Sequence, residues 1–315
     1  MQIAPALAFV FPGQGSQSVG MLSDLAAAHP RVRTTFDEAS QGAGRDLWKL
    51  AQDGPAEELD RTENTQPALL AASVAVWRVW CDLGGARPAQ MAGHSLGEYS
   101  ALVCAGALSL HDAAALVCER GRLMQDAVPA GVGAMAAILG GEDAQIAMAC
   151  DEVSGDEVVA PANCNSPGQV VIAGHAAAVD RAIVRLAELG VRKAVKLAVS
   201  VPSHTILMRD SAHRLGERMA QLQWKAPEIP VVQNADARAH SSVEYIRAAL
   251  ERQLYMPVRW SECVQRLAAN GATKLFECGP GKVLTGLSKR IDKALEARAL
   301  GGEAELQAAV QEDRG

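Results

Sequence analysis

Three observations in the sequence predict an α/β fold with a small domain inserted into a larger one. Short apolar runs alternate with longer helical patterns, the signature of a sheet covered by helices. Glycine-containing turns follow several of the apolar runs. Between Gly131 and Val201 the order changes to strand–helix–strand–strand–helix–strand, the ferredoxin-like arrangement.

Ala6–Phe11 reads as a first buried strand, since Met1-Gln2-Ile3-Ala4-Pro5 carries no basic segment of the secretory type. Further strands are expected near Gln90–Gly93, Ile229–Gln233 and Lys274–Cys278. Helical periodicity covers Gln66–Leu83, Leu96–Ala107, His111–Ala127, Ile206–Leu222, Ser242–Leu254, Ser261–Asn270 and Lys282–Ile291. Inside the insert, strands are expected at Ala134–Leu139, Glu157–Ala162, Gln169–Gly174 and Arg192–Leu197, with helices at Asp143–Glu152 and Ala176–Leu189. The main domain therefore takes residues 1–128 and 203–315, and the insert 129–202. The alanine- and charge-rich tail beyond about Ala294 reads as a weakly held surface segment.

Composition narrows the function. The 315 residues are 49% hydrophobic and 21% charged, an ordinary globular balance. A net charge of −6 and the lack of any basic run argue against a nucleic-acid partner. No apolar run reaches the 18 or more residues of a membrane span. Seven cysteines without a C-x-x-C pair read as buried free thiols in a reducing cytoplasm.

The chemistry starts at Gly93-His94-Ser95-Leu96-Gly97, a G-x-S-x-G between an apolar run and a helical pattern. In that context the motif reads as a nucleophile elbow, with the hydroxyl of Ser95 standing clear of a sharp turn. The glycines let strand and helix approach closely. The helix N-terminus turns free N–H groups toward a developing oxyanion. A serine nucleophile needs a base. His204, where the insert returns to the main domain, is the candidate, against a solvated loop histidine. With an unperturbed pKa of roughly 6.5, such a base predicts activity that falls in mild acid. His94 sits on the turn and is expected to point elsewhere, and His213 lies among charges on a helix.

Arg120 falls on the apolar stripe of its helix with Leu116 and Val117, so it faces inward, whereas Arg122 lies off the stripe. It is either a structural partner for a buried acid or an anchor for a substrate carboxylate. Phe11-Pro12-Gly13-Gln14-Gly15-Ser16-Gln17 follows the first strand but lacks the G-K-[ST] of a phosphate loop. It offers the backbone N–H of Gln14 as an oxyanion donor beside that of Leu96. Gly279-Pro280-Gly281-Lys282 forms a late glycine turn expected on the same rim.

Gly13-Gln14-Gly15-Ser16-Gln17, Gly93-His94-Ser95-Leu96-Gly97-Glu98-Tyr99, Arg120, Pro202-Ser203-His204 and Glu277-Cys278-Gly279-Pro280-Gly281 together resemble the malonyl-CoA:acyl carrier protein transacylases of bacterial fatty acid synthesis. The resemblance runs in order from about Phe9 to Ile291. It implies an α/β-hydrolase-like main domain with a ferredoxin-like insert. It implies transfer of malonyl from malonyl-CoA to the phosphopantetheine thiol of acyl carrier protein, through an ester on Ser95 with His204 as base. Gln14 and Leu96 would form the oxyanion hole, and Arg120 would hold the malonyl carboxylate. The backbone carbonyl of Gln253 would orient the histidine in place of an acid, and Gln66, Asn165 and Gln169 would line the pocket. No cofactor or metal is implied, and the family expectation is a cytoplasmic monomer. Lys193, Lys196, Lys282, Lys289 and Arg290 offer a basic rim for an acidic carrier, against a plain solvated face. A malonyltransferase serving a polyketide synthase or malonate decarboxylase carrier, a thioesterase and a non-catalytic scaffold stay open as alternatives.

Overall fold

The computed structural model describes residues 2–129, 131–197, 199 and 201–313; Ala130, Ala198 and Ser200 of the predicted insert lie outside them. Ten strands are named in chain order: β1 (Ile3–Phe11), β2 (Arg87–Gly93), β3 (Gly133–Leu139), β4 (Val159–Ser166), β5 (Gln169–His175), β6 (Lys193–Lys196), β7 (Val231–Gln233), β8 (Arg238–Ala239), β9 (Lys274–Glu277) and β10 (Glu296–Ala299). They form two sheets, ordered β10-β9-β1-β2-β7-β8 and β4-β5-β3-β6. The larger sheet is parallel except for the β7–β8 pair. The smaller one is antiparallel throughout.

Strand β1 shows why the large sheet is buried on both faces. Leu7, Phe9 and Phe11 enter one apolar cluster, and Ala8 and Val10 enter another on the opposite side. The first cluster packs helices Pro30–Ala43, Thr62–Asp82, Leu96–Cys104 and Leu110–Asp126. The second packs helices Trp260–Ala269 and Val283–Ile291. Phe9 is the aromatic centre, with ring contacts to Trp77, Trp80 and Phe276 at 5.2–5.9 Å. The small sheet buries Ile138, Val170 and Ile172 against helices Asp143–Val153 and Ala176–Glu188. Strand β4 also touches the main body, because Val258 donates to Ala162 O and Cys164 donates to Val258 O.

Two expectations need correction. The tail is not weakly held. Strand β10 pairs in parallel with β9, and the closing helix Glu303–Asp313 buries Leu306, Ala309 and Val310. Alternating alanines and charges over Glu296–Ala299 hid a four-residue edge strand. The helices before Gln66, chiefly Pro30–Ala43 with buried Val32, Phe36 and Ala39, were also not expected. Their apolar residues are sparse among charges and threonines.

Register aligns Phe11 with Gly93, so the turns leaving β1 and β2 emerge side by side at the carboxyl edge of the sheet. In open α/β sheets that edge is where ligand sites form.

Candidate active site

Ser95 sits between β2 and helix Leu96–Cys104 with φ 51° and ψ −105°, a conformation that side chains rarely adopt. Only glycine fits on either side of it. A Cβ on Gly93 would lie 1.9 Å from Gly97 C, and one on Gly97 would lie 2.0 Å from Phe11 O. The Ser95 peptide is pinned from both ends. Its N–H donates to Asn234 Oδ1 at 2.8 Å, and its carbonyl accepts from Gln253 Nε2 at 2.9 Å.

His204 is buried, and its Nε2 lies 2.9 Å from Ser95 Oγ. Its Nδ1 lies 2.7 Å from the main-chain oxygen of Gln253, and its backbone N–H donates to Leu254 O at 3.1 Å. A carbonyl can only accept. The Nδ1 proton is thereby fixed, and the Nε2 lone pair faces the serine hydroxyl. Both carbonyls belong to the last turn of helix Val243–Tyr255. The helical partner of Gln253 O would be the N–H of residue 257, which is proline and has none. Val258, the partner of Leu254 O, donates to Ala162 instead. Two orphaned helix carbonyls therefore hold the histidine.

Burial, and secondly the charge of Arg120, push the His204 pKa down to about 3, against the raising effect of the Gln253 carbonyl. The acid limb expected from an unperturbed histidine therefore moves below 6.5, toward the lowered pKa.

Arg120 is 1% exposed and reaches the same point. Its Nη2 donates to Ser95 Oγ at 3.1 Å and to Gln253 Oε1 at 3.0 Å, and its Nη1 donates to Gln66 Oε1 at 2.7 Å. The guanidinium lies 5.4 Å from the Tyr99 ring centre. No hydrogen bond or ion pair joins it to a carboxylate among the described residues. The reading as a structural ion-pair partner is therefore not met. Arg122 faces outward, paired with Glu119 and Asp126.

The cleft in front of Ser95 has a volume of about 120 Å³. Gln14, His94, Leu96 and His204 share its walls with the apolar Met124, Met135, Leu197 and Val199. Among the described residues, neither the Gln14 nor the Leu96 backbone N–H donates a hydrogen bond. His94 lines the cleft rather than pointing away from it. Its Nε2 meets Asn165 Oδ1 at 2.8 Å, and its ring lies 5.5 Å from that of Trp260.

Three pocket expectations change. Gln66 lies behind Arg120 and Met124, bonded to both. Asn165 stands behind His94, and Asn163 takes the place in the wall. Gln169 is not in the wall. It opens β5 and accepts from Arg290 at 2.7 Å on the surface, since it pairs with Ser166 at the turn of the hairpin, three residues along β4 from Asn163. The turn at Gly279 and Gly281 packs on Pro12 and Ser16, so it braces the Gln14 loop without entering the cleft.

Sequence reasoning missed the layer beneath the site. Glu98 is fully buried and accepts from Gln233 Nε2 at 3.1 Å, Asn234 N at 2.8 Å and Gln253 Nε2 at 3.0 Å. Burial raises its pKa to about 7, with those donors and Arg120 opposing the rise. Asn234 also donates to Gly93 O at 2.8 Å. It directly follows β7, so its place at the carboxyl end of a parallel strand beside β2 was the available signal.

The acyl transferase domain family matches residues 8–300. The malonyl CoA-acyl carrier protein transacylase of Escherichia coli K12 is 56% identical over 96% of this chain and 98% of its own length. The enzyme of the same name from Bacillus subtilis is 43% identical over 97% and 96%. Among solved structures, the malonyl-CoA:acyl carrier protein transacylase of Xanthomonas oryzae pv. oryzae superposes with a TM-score of 0.98 at 65% identity, covering 99% of both chains. A malonyl-transacylase solved in complex with its type II PKS acyl-carrier protein gives 0.96 at 54% identity, over 97% of this chain and 99% of that one. With its serine, histidine and arginine meeting at one oxygen atom, the chain belongs to the acyl transferase family, among the malonyl-CoA:acyl carrier protein transacylases.

Proposed function

We propose that this chain moves a malonyl group from malonyl-CoA to the phosphopantetheine thiol of acyl carrier protein through a malonyl ester on Ser95. The observation that carries the reading is convergence on Ser95 Oγ, 2.9 Å from His204 Nε2 and 3.1 Å from the buried cation of Arg120. His204 Nε2 takes the hydroxyl proton as Oγ attacks the thioester carbonyl carbon. The oxyanion rests on the N–H groups of Gln14 and Leu96. The carbon–sulfur bond breaks, and CoA leaves as a thiol with the proton from His204. The carrier thiol then gives its proton to His204 and attacks the ester, and Ser95 recovers its hydroxyl. Arg120 holds the free carboxylate in both halves. Once Oγ is esterified it can no longer pair with His204, and the Arg120 N–H that faced it is available to the acyl carboxylate.

The fold reading behind this is an α/β-hydrolase-like main domain, residues 1–128 and 203–315, with a ferredoxin-like insert at 129–202. Strand order β4-β5-β3-β6 with helices on one face supports the insert. Lys193, Lys282 and Lys289 are exposed and suit an acidic carrier, while Lys196 is engaged by Asp180 and Arg290 by Gln169. A polyketide carrier is a second reading, favoured by the 54%-identical transacylase solved with one.

Intact-protein mass measurement after mixing with malonyl-CoA tests the first step. The wild type gains a malonyl adduct, lost when holo acyl carrier protein is added, and Ser95→Ala gains none. An adduct on the Ala variant would remove Ser95 from the mechanism. Comparing fatty-acid and polyketide carriers as acceptors decides between the two readings.

A further inference from the structure

We propose that Glu98 is a positioning residue for acyl transfer, acting as the fixed acceptor that holds Gln253 and Asn234, and through them Ser95, His204 and Arg120, in register. The inference rests on the reading above of Ser95 as nucleophile.

One carboxylate oxygen, Oε2, receives both the Asn234 backbone N–H at 2.8 Å and Gln253 Nε2 at 3.0 Å. From Gln253 the contacts fan out to the whole site. Its Nε2 also donates to Ser95 O, its Oε1 accepts from Arg120, and its main-chain oxygen accepts from His204 Nδ1. Asn234 adds the bond from Ser95 N and the one to Gly93 O. All three side-chain bonds of Glu98 come from N–H donors, so this spot demands an acceptor. An amide of the wrong orientation at Gln253 would turn its NH₂ toward Arg120 and its oxygen toward Ser95 O, opposing both contacts. Glu98 removes that choice. Its carboxylate bonds to neither Ser95 Oγ nor His204, so its action is indirect.

The competing reading is an acid that only favours the first turn of helix Leu96–Cys104. Three substitutions separate the two. Glu98→Gln keeps one side-chain oxygen at the Oε2 position. Its NH₂ can be met by Gln233, whose Oε1 is buried and unpartnered, after that amide turns over at the loss of the Gln233 Nε2 bond to Ile246 O. Glu98→Asp is too short to meet both donors, and Glu98→Met has the length without the acceptor.

The assay is single-turnover acylation by malonyl-CoA and by acetyl-CoA, 10 °C or more below each variant's melting temperature. Wild type and Ser95→Ala serve as controls. Expected are acylation rate constants for Glu98→Gln within about threefold of wild type. Glu98→Asp and Glu98→Met fall by about 10- to 100-fold for both acyl groups, as for sub-ångström to ångström misplacement of a reacting group, with KM for malonyl-CoA little changed. The Nδ1–H proton resonance of His204 should stay in place in Glu98→Gln and shift in Glu98→Asp. Folded Asp or Met variants with wild-type rates overturn the proposal. So does failure of both to fold beside a fully active Glu98→Gln, which would make the residue a folding element. Failure of the wild type to acquire an adduct strikes the Ser95 reading instead.

Discussion

Replacing Arg120 by alanine should erase the preference for malonyl over acetyl. In the structure the guanidinium meets three neutral oxygens, on Gln66, Ser95 and Gln253, and no carboxylate. Its burial leaves a cation on which Glu98 acts only through space. A carboxylate entering the cleft supplies the missing anion. A charge-assisted bidentate pair in a partly dry site contributes about 2–4 kcal/mol, or roughly 30- to 1000-fold between malonyl and acetyl. Arg120→Ala should lose most of that ratio through slower malonyl transfer. Acetyl transfer can rise, because the emptied pocket no longer strands a cation beside a neutral acyl group. Arg120→Lys should fall between, since a point charge cannot reproduce the fork. The assay is kcat/KM for malonyl-CoA and acetyl-CoA, with the melting temperature measured alongside. A folded Arg120→Ala protein that keeps the wild-type ratio refutes the anchor and returns the arginine to a packing role.

Three further outcomes test other links. In Glu98→Gln, which cannot titrate at position 98, the rate of Ser95 acylation should stay flat from pH 8 through 6.5, because burial lowers the His204 pKa to about 3, whereas the wild type also carries Glu98 with its pKa raised to about 7. The unfolded chain protonates that histidine below about 6.5, so the His204 contribution to stability declines as pH falls from 6.5 toward 3, and an acid limb near 6.5 in the folded Gln variant would contradict this. Gly97→Ala drives a Cβ to 2.0 Å from Phe11 O, a rigid backbone atom, and should cost about 3 kcal/mol or more and abolish acylation, read as melting temperature and adduct yield. Leu306→Ala should cost about 2–5 kcal/mol in a denaturant titration, because its side chain is fully buried, whereas a loosely attached tail would give a change near zero.

Legibility differed by kind of signal. The elbow at Ser95 could be read because its glycines and its strand–helix context are local. Arg120 could be read because one charge on an apolar stripe stands out. Between Gly133 and Lys196 the strand–helix–strand–strand–helix–strand order was legible from patterning alone, and those six elements fall within a few residues of expectation. The edge strand β10 could not be read, since four residues of alternating alanine and charge carry no strand pattern. Glu98 and Asn234 escaped for another reason. Their importance lies in contacts spanning 136 and 139 positions of sequence, which neither periodicity nor spacing encodes. The carbonyl that orients His204 had one local sign, Pro257, four residues beyond Gln253. A proline at that spacing leaves the earlier carbonyl without its helical donor.

That proline also explains how the site manages without an acid on its histidine. Two helix ends face the reacting atoms with opposite polarity. Helix Leu96–Cys104 starts at the residue after Ser95, its N-terminal N–H being the oxyanion donor of the proposed mechanism, and helix Val243–Tyr255 presents its C-terminal carbonyl to the imidazole. A carbonyl carries a partial charge, so it fixes the tautomer while stabilising the imidazolium less than a carboxylate would. Arg120 adds a positive charge nearby and lowers the imidazole pKa further. The acid of the neighbourhood, Glu98, its pKa raised to about 7 by burial, is kept one amide away, on the far side of Gln253. In the proposed mechanism His204 is thus a weak base, acting on a hydroxyl already held against it at 2.9 Å. A thiol, with a reference pKa near 8.5, gives up its proton to such a base far more readily than water does. On that mechanism, the same arrangement that slows general-base attack by water leaves a carrier thiol competent to take the acyl group.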